Sequence, residues 1–221
     1  MKSKIAVLAL GITASLASQA AVITLDDFTL NQAVTVANSV STVGAGTNFT
    51  NRSVSLTSPA SNALNPNVTI GTNTVNGTTG NYLQISGSNG SAYTTSITWN
   101  FNAIVLAALA NSTWSIDMNQ VFVDETVTVG GNMRTSANTG TNVNLGSGNG
   151  TSTLNPFSIT FNAAINSDST WSLLQATYTC NRGFSLTQGG TCAPTSVPEP
   201  GTIALLGLGL LGAGALRRKA K

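Results

Sequence analysis

Histidine is missing from the whole chain, and lysine is missing from everything except the two ends. Without an imidazole there is no Ser-His-Asp or Cys-His nucleophile of the usual kind. A Ser-Lys dyad fails as well, because Lys2, Lys4, Lys219 and Lys221 all lie in terminal segments. Charge of either sign is scarce, at 7% of residues. Between Ala21 and Ser196 only Arg52, Arg134 and Arg182 stand against Asp26, Asp27, Asp117, Asp124, Glu125 and Asp168. The formal charge of +2 therefore belongs to the ends, and the middle is acidic. Nucleic-acid binding needs clustered Lys and Arg to displace counterions, so this composition excludes it. Cysteine is limited to Cys180 and Cys192, which without His cannot fill a tetrahedral zinc site. No cofactor is implied; a structural calcium held by Asp side chains and loop carbonyls is the one metal the inventory leaves open.

What is present begins with the ends. Lys2 and Lys4 precede the apolar run from Ile5 to Leu16, and Ser18-Gln19-Ala20 places a small-x-small site ahead of Ala21. This pattern predicts a secretory signal over 1–20, removed by signal peptidase after Ala20. Export puts residues 21–196 in an oxidising compartment, where Cys180 and Cys192 are expected to pair. The small loop so closed is worth about 3 kcal/mol in the chain-entropy account.

The last segment, 197–221, reads VPEPGTIALLGLGLLGAGALRRKAK. Gly207, Gly209 and Gly212 have the spacing of a dinucleotide-binding loop. That loop needs a leading strand, a following helix and an acidic residue about 20 positions on, and no acid follows Glu199. As a helix, the uncharged stretch Thr202 to Leu216 spans about 22 Å, short against a hydrocarbon core of about 30 Å. The cluster Arg217, Arg218 and Lys219 follows at once and would stay in the cytoplasm, leaving the body outside. Val197-Pro198-Glu199-Pro200, a short Gly/Leu helix and this basic stop cluster, in that order, resemble the PEP-CTERM sorting signal of Gram-negative bacteria that make exopolysaccharide. The resemblance covers the tail only. It implies recognition by an exosortase, a membrane-embedded cysteine transpeptidase-like enzyme, with processing near Pro198-Glu199-Pro200. The two prolines suit that role, since they keep the segment extended and free of helix outside the bilayer. The tail is then an address label that serves briefly as a membrane anchor.

Along the body, Ile97, Trp99 and Phe101 share one strand face; so do Trp114, Ile116 and Met118, and likewise Phe157, Ile159 and Phe161, with polar residues between. In Val121 to Val129 the apolar parity is interrupted by Glu125, which marks an exposed strand end or a partnered carboxylate. From Trp171 to Cys180 the parity changes between Leu173 and Leu174, which predicts a β-bulge. Turn chemistry is expected at Gly44-Ala45-Gly46, Asn76-Gly77, Asn89-Gly90, Gly130-Gly131 and Gly146 to Gly150, and only Ala103 to Ala110 reads as helix. Many short strands with little helix predict an all-β body, a jelly-roll-like β-sandwich. The pattern Ser96 to Trp99 with Ser112 to Ile116 recurs loosely as Ser158 to Phe161 with Ser169 to Leu173, where shared composition explains more than duplication does.

Adjacent carboxylates such as Asp26-Asp27 and Asp124-Glu125 point to opposite faces of a strand, so they read as surface charge or as partners for Arg52, Arg134 or Arg182. The phase of Trp99, Trp114 and Trp171 places all three in the core. Tyr82 and Tyr93, flanking a Ser/Gly/Asn loop, are the candidates for exposed contact with sugar. These observations lead to a non-enzymatic surface or matrix protein associated with extracellular polysaccharide in a biofilm or floc. A carbohydrate-binding module is the alternative, and a glycoside hydrolase using two carboxylates comes third.

Overall fold

Apolar side chains at every second position, with Ser, Thr or Asn between them, bury one face of a strand and wet the other. The computed structural model describes residues 20–58, 66–87 and 92–195 together with Gly207, and most of that pattern becomes antiparallel strand. In chain order the first elements are β1 (Ala20–Asp26), β2 (Gln32–Val34), β3 (Ser39–Val43), β4 (Phe49–Thr57), β5 (Asn67–Val75), β6 (Thr78–Ser86), β7 (Tyr93–Phe101) and the helix α1 (Ala103–Leu109). There follow β8 (Ser112–Val123), β9 (Val127–Val129), β10 (Asn132–Arg134), β11 (Asn142–Asn149), β12 (Phe157–Ala163), β13 (Asp168–Cys180), β14 (Phe184–Leu186) and β15 (Cys192–Pro194). The leader before Ala20, the Asn89-Gly90 turn, the motif Val197 to Pro200 and the cluster Arg217, Arg218 and Lys219 lie outside the described residues.

A seven-stranded sheet runs β11-β8-β13-β6-β5-β2, with β1 also on β13, and a six-stranded sheet runs β10-β9-β12-β7-β4-β3. Tight hairpins join β3 to β4, β5 to β6 and β9 to β10, while the links β2–β3, β4–β5, β6–β7 and β8–β9 pass from one sheet to the other. Both sheets turn their apolar parity into one cluster, in which Ile116, Leu174 and Leu83 of the first meet Ile97, Trp99 and Phe161 of the second. The Phe161 and Trp171 rings touch across the layers at 5.6 Å between centroids. All three tryptophans are buried, as their phase predicts.

Local chemistry explains the breaks. Asn76-Gly77 and Gly130-Gly131 take positive φ at both positions, as a two-residue hairpin turn requires. Asn102 caps α1 by accepting from the backbone N–H of Ile104 and Val105. The expected bulge is present: Ser172 pairs with Asn119 and Leu174 with Met118, leaving Leu173 over at φ 50°. It divides one edge of β13, which pairs with β6 over Asp168 to Trp171 and with β1 from Leu174 onward. β8 ends at Val123, so Glu125 lies exposed in the crossing to β9. One expectation is overturned: Gly146 to Asn149 is strand rather than turn, pairing with Ile116 to Thr113. Here Gly148 leaves room for the Trp114 ring, whose atoms stand 2.5 Å from where a Cβ would be.

Candidate functional site

The two tyrosines expected to meet sugar are not exposed. Tyr93 shares the inward parity of Ile97 and Trp99, is 2% exposed, and donates to the Ser167 carbonyl at 2.7 Å. Burial, reinforced by the charges of Asp168 and Asp124, pushes its phenol above the ordinary range. Tyr82 is 8% exposed and lies across Gly80, its hydroxyl 2.8 Å from the position a Cβ would take there. Sequence neighbours in a polar loop do not reveal that strand phase or a bare glycine can take the ring away from solvent.

The acids divide by environment. Asp26, at the end of β1, is buried and forms the single ion pair among the described residues, with Arg52 of β4 at 2.5 Å. Trp99 Nε1 donates to the same carboxylate at 2.8 Å, and the Phe28 N–H donates to its other oxygen at 2.9 Å. Arg52 in turn donates through Nε to Gln32 Oε1 at 2.8 Å and through Nη2 to the Leu30 carbonyl at 2.6 Å. Each sheet contributes to this network: Asp26 and Gln32 come from the seven-stranded sheet, Arg52 and Trp99 from the six-stranded one. Of the expected arginine partners, Arg134 instead bonds Gln120 Oε1 and Thr141.

Asp124 and Asp168 meet where β8 leaves the seven-stranded sheet and β13 enters it. Asp124 Oδ1 accepts from the Asp168 N–H at 2.6 Å, and Asp168 Oδ1 accepts from the Gly87 N–H at 2.9 Å. Desolvation raises the Asp168 carboxyl above its usual range and the Asp124 charge adds to this, while the Gly87 bond works the other way. Beside it opens a cleft of about 240 Å³ lined by Asn76, Gln84, Ser86, Phe122, Asp168 and Thr170, among others. The register sets Gln84 and Phe122 each opposite Thr170, and Ser86 opposite Asp168, on the face away from the core. The β5–β6 turn reaches the cleft because β5 changes parity at Gly71 (φ 142°): Val68 and Ile70 are buried before it, Val75 after it. Phe122 carried a signal in the sequence, as the aromatic out of phase with Val121 and Val123.

The outer face of the six-stranded sheet is different. Thr94 bonds Asn162 at 2.9 Å, Ser96 bonds Thr160 at 3.2 Å, Thr98 bonds Ser158 at 2.8 Å and Thr42 bonds Ser53 at 3.2 Å, all across neighbouring strands. Arg52 is the one charged residue on β3, β4, β7, β9 and β12, and it points inward. The result is a neutral surface, mostly of hydroxyls and amides, with Val40 exposed among them.

At the end of the body, Cys180 and Cys192 form a disulfide, tying β15 to the end of β13. Burial raises the nearby Tyr178 phenol, which donates to the Gly190 carbonyl inside that loop. Among the described residues no three of His, Cys, Asp and Glu gather as a metal group, and no helix is long and apolar enough to cross a membrane. The tail lies beyond these elements, and there residues 196–219 match the family model of the PEP-CTERM protein-sorting motif. No curated protein and no solved structure matches the chain.

Proposed function

We propose that the chain is an exported, exosortase-processed protein whose body acts outside the cell without catalysing a reaction, associated with the exopolysaccharide of a biofilm or floc. The observation that carries this reading is the match of 196–219 to the sorting motif, which points to an exosortase as processing partner and to the cell surface as destination. The body supports it in two ways. It offers a broad neutral face able to lie against hydroxyl-rich polymer, and its strand order, alternating between two sheets, fits a jelly-roll-like β-sandwich. In this reading signal peptidase cuts after Ala20, the tail helix holds the precursor in the inner membrane, and cleavage near Pro198-Glu199-Pro200 delivers the body. Mass spectrometry of the surface form tests it: the first peptide should start at Ala21 and the last should end within or before the Pro-Glu-Pro stretch. A surface form that retains Lys221 overturns the processing step.

A second reading, a carbohydrate-binding module with a defined sugar site, is favoured by the polar cleft beside Phe122. The glycosidase reading gains less, because Asp124 and Asp168 each already engage a backbone N–H.

A further inference from the structure

We propose that the cleft between the β5–β6 turn and the outer face of β13 and β8 is a binding site for one ring of a neutral, hydroxyl-rich sugar, resting on the reading that the body associates with polysaccharide. The first argument is hydrogen-bonding capacity left open. The side chains of Asn76, Gln84, Ser86 and Thr170 have no partner within the described chain, whereas Thr72 and Thr74 of the same hairpin bond Asn81 and Thr79. None is sealed from solvent, since among the described residues the one buried side-chain atom without a partner is Thr95 Oγ1. Asp168 uses one oxygen on Gly87 and keeps the other free. Two amides, two hydroxyls and one carboxylate oxygen therefore converge on one cleft. Amide and carboxylate groups bridge vicinal hydroxyls well, because each offers paired sites about as far apart as the two hydroxyl oxygens.

The second argument is the single aromatic wall. Phe122 is half-buried, sits opposite Thr170, and offers ring surface beside these polar groups. A sugar ring has this dual character, with polar edges and an apolar C–H face suited to an aromatic ring. The third argument excludes other ligands. No cation lines the cleft, and the Asp124 and Asp168 carboxylates stand at its edge, which disfavours phosphate, sulfate or a uronic acid. An apolar molecule would strip water from the amides and hydroxyls without replacing their bonds. The volume of about 240 Å³ is below the range of about 300–1,000 Å³ typical of enclosed small-molecule sites, and suits one ring of a chain that runs on into solvent.

The test uses the mature chain purified from its own culture, with exopolysaccharide extracted from the same cells as the probe, by co-sedimentation and then calorimetry. Gln84→Ala and Thr170→Val should each weaken binding about fivefold or more, since each removes a direct hydrogen bond. Phe122→Leu should weaken it while keeping the fold, checked by an unchanged urea midpoint. Ser185→Ala, in the β14–β15 hairpin away from both outer faces, should leave affinity unchanged. Binding should also survive high salt. If the parent binds and the three cleft variants bind equally well, the site is wrong while the polysaccharide reading stands. If binding collapses in salt, the neutral-sugar assignment is overturned. If the parent does not bind at all, polysaccharide association and the site fall together, yet exosortase processing remains separately measured at the C-terminus.

Discussion

The two outer faces of this body are built from the same residue types and do different things with them. On the six-stranded sheet Thr, Ser and Asn lie opposite one another across β7 and β12, and Thr94, Ser96 and Thr98 each bond their neighbour. On the seven-stranded sheet β5 changes parity at Gly71 (φ 142°), which brings the β5–β6 turn to a cleft where Gln84, Ser86 and Thr170 are left unpaired. A flat ladder satisfies its own polar side chains, because cross-strand neighbours stand within reach of each other. Around the cleft Gln84 stands opposite Thr170 without bonding it, and these side chains keep their hydrogen bonds for something else.

The strongest way to break the comparison is to loosen the sheets that carry the two faces. Arg52→Met should destabilise the fold by roughly 3–5 kcal/mol, because it strands the buried Asp26 carboxylate. A urea midpoint reads this, and adding Asp26→Asn should return part of the loss. Next comes the end of the body: Cys180→Ser with Cys192→Ser should cost about 3 kcal/mol and leave both faces otherwise intact.

A sharper break targets the parity change alone. At Gly71 a Cβ would stand 2.0 Å from Asn31 Oδ1 on a backbone that L side chains rarely adopt. Gly71→Ala should cost about 1–3 kcal/mol and weaken polysaccharide binding more than its effect on stability explains. Unchanged affinity would separate the parity change from function.

Acid titration distinguishes the faces by charge. The Asp168 carboxyl is raised above its ordinary value of 3.8, mainly by burial, so the folded state holds this proton longer than the unfolded chain does. Its contribution is therefore most favourable below 3.8 and falls as pH rises through the raised value. Asp168→Asn should gain stability relative to the parent as pH rises from below about 4 towards neutrality, then level off. The smallest effect is expected on the neutral face, where Thr98→Val should stay within about 0.5 kcal/mol and show no pH dependence.

Much of this was legible in the sequence wherever one strand decides its own burial. The phases of Ile97-Trp99-Phe101 and Trp114-Ile116-Met118 placed core and surface without knowledge of partners, and the parity change after Leu173 located a bulge. Pairing between distant segments was not legible. Nothing local distinguishes Arg52 as the partner of Asp26 rather than Arg134 or Arg182, because that choice depends on which strands of the two sheets face each other. Tyr82 and Tyr93 were misplaced for a related reason: their cover comes from Gly80 and Gly87, and a glycine announces flexibility in sequence but a bare landing site only in space. Gly146 to Asn149 looked like a turn and is strand, paired with Ile116 to Thr113 of β8, with the Trp114 ring over Gly148.

The sequence alone determined the sorting motif, since residues 196–219 match its family model as a linear pattern of Pro-Glu-Pro, apolar run and basic cluster. It also determined the all-β character of the body, because period-two alternation is a property of each strand by itself. Only the tertiary structure decided which polar groups meet and which stay open, and with them the buried Asp26–Arg52 tie, the paired neutral face and the cleft beside Phe122. Hydrogen bonds between side chains fall off within a few tenths of an ångström, and that precision comes from register, bulge and turn acting together.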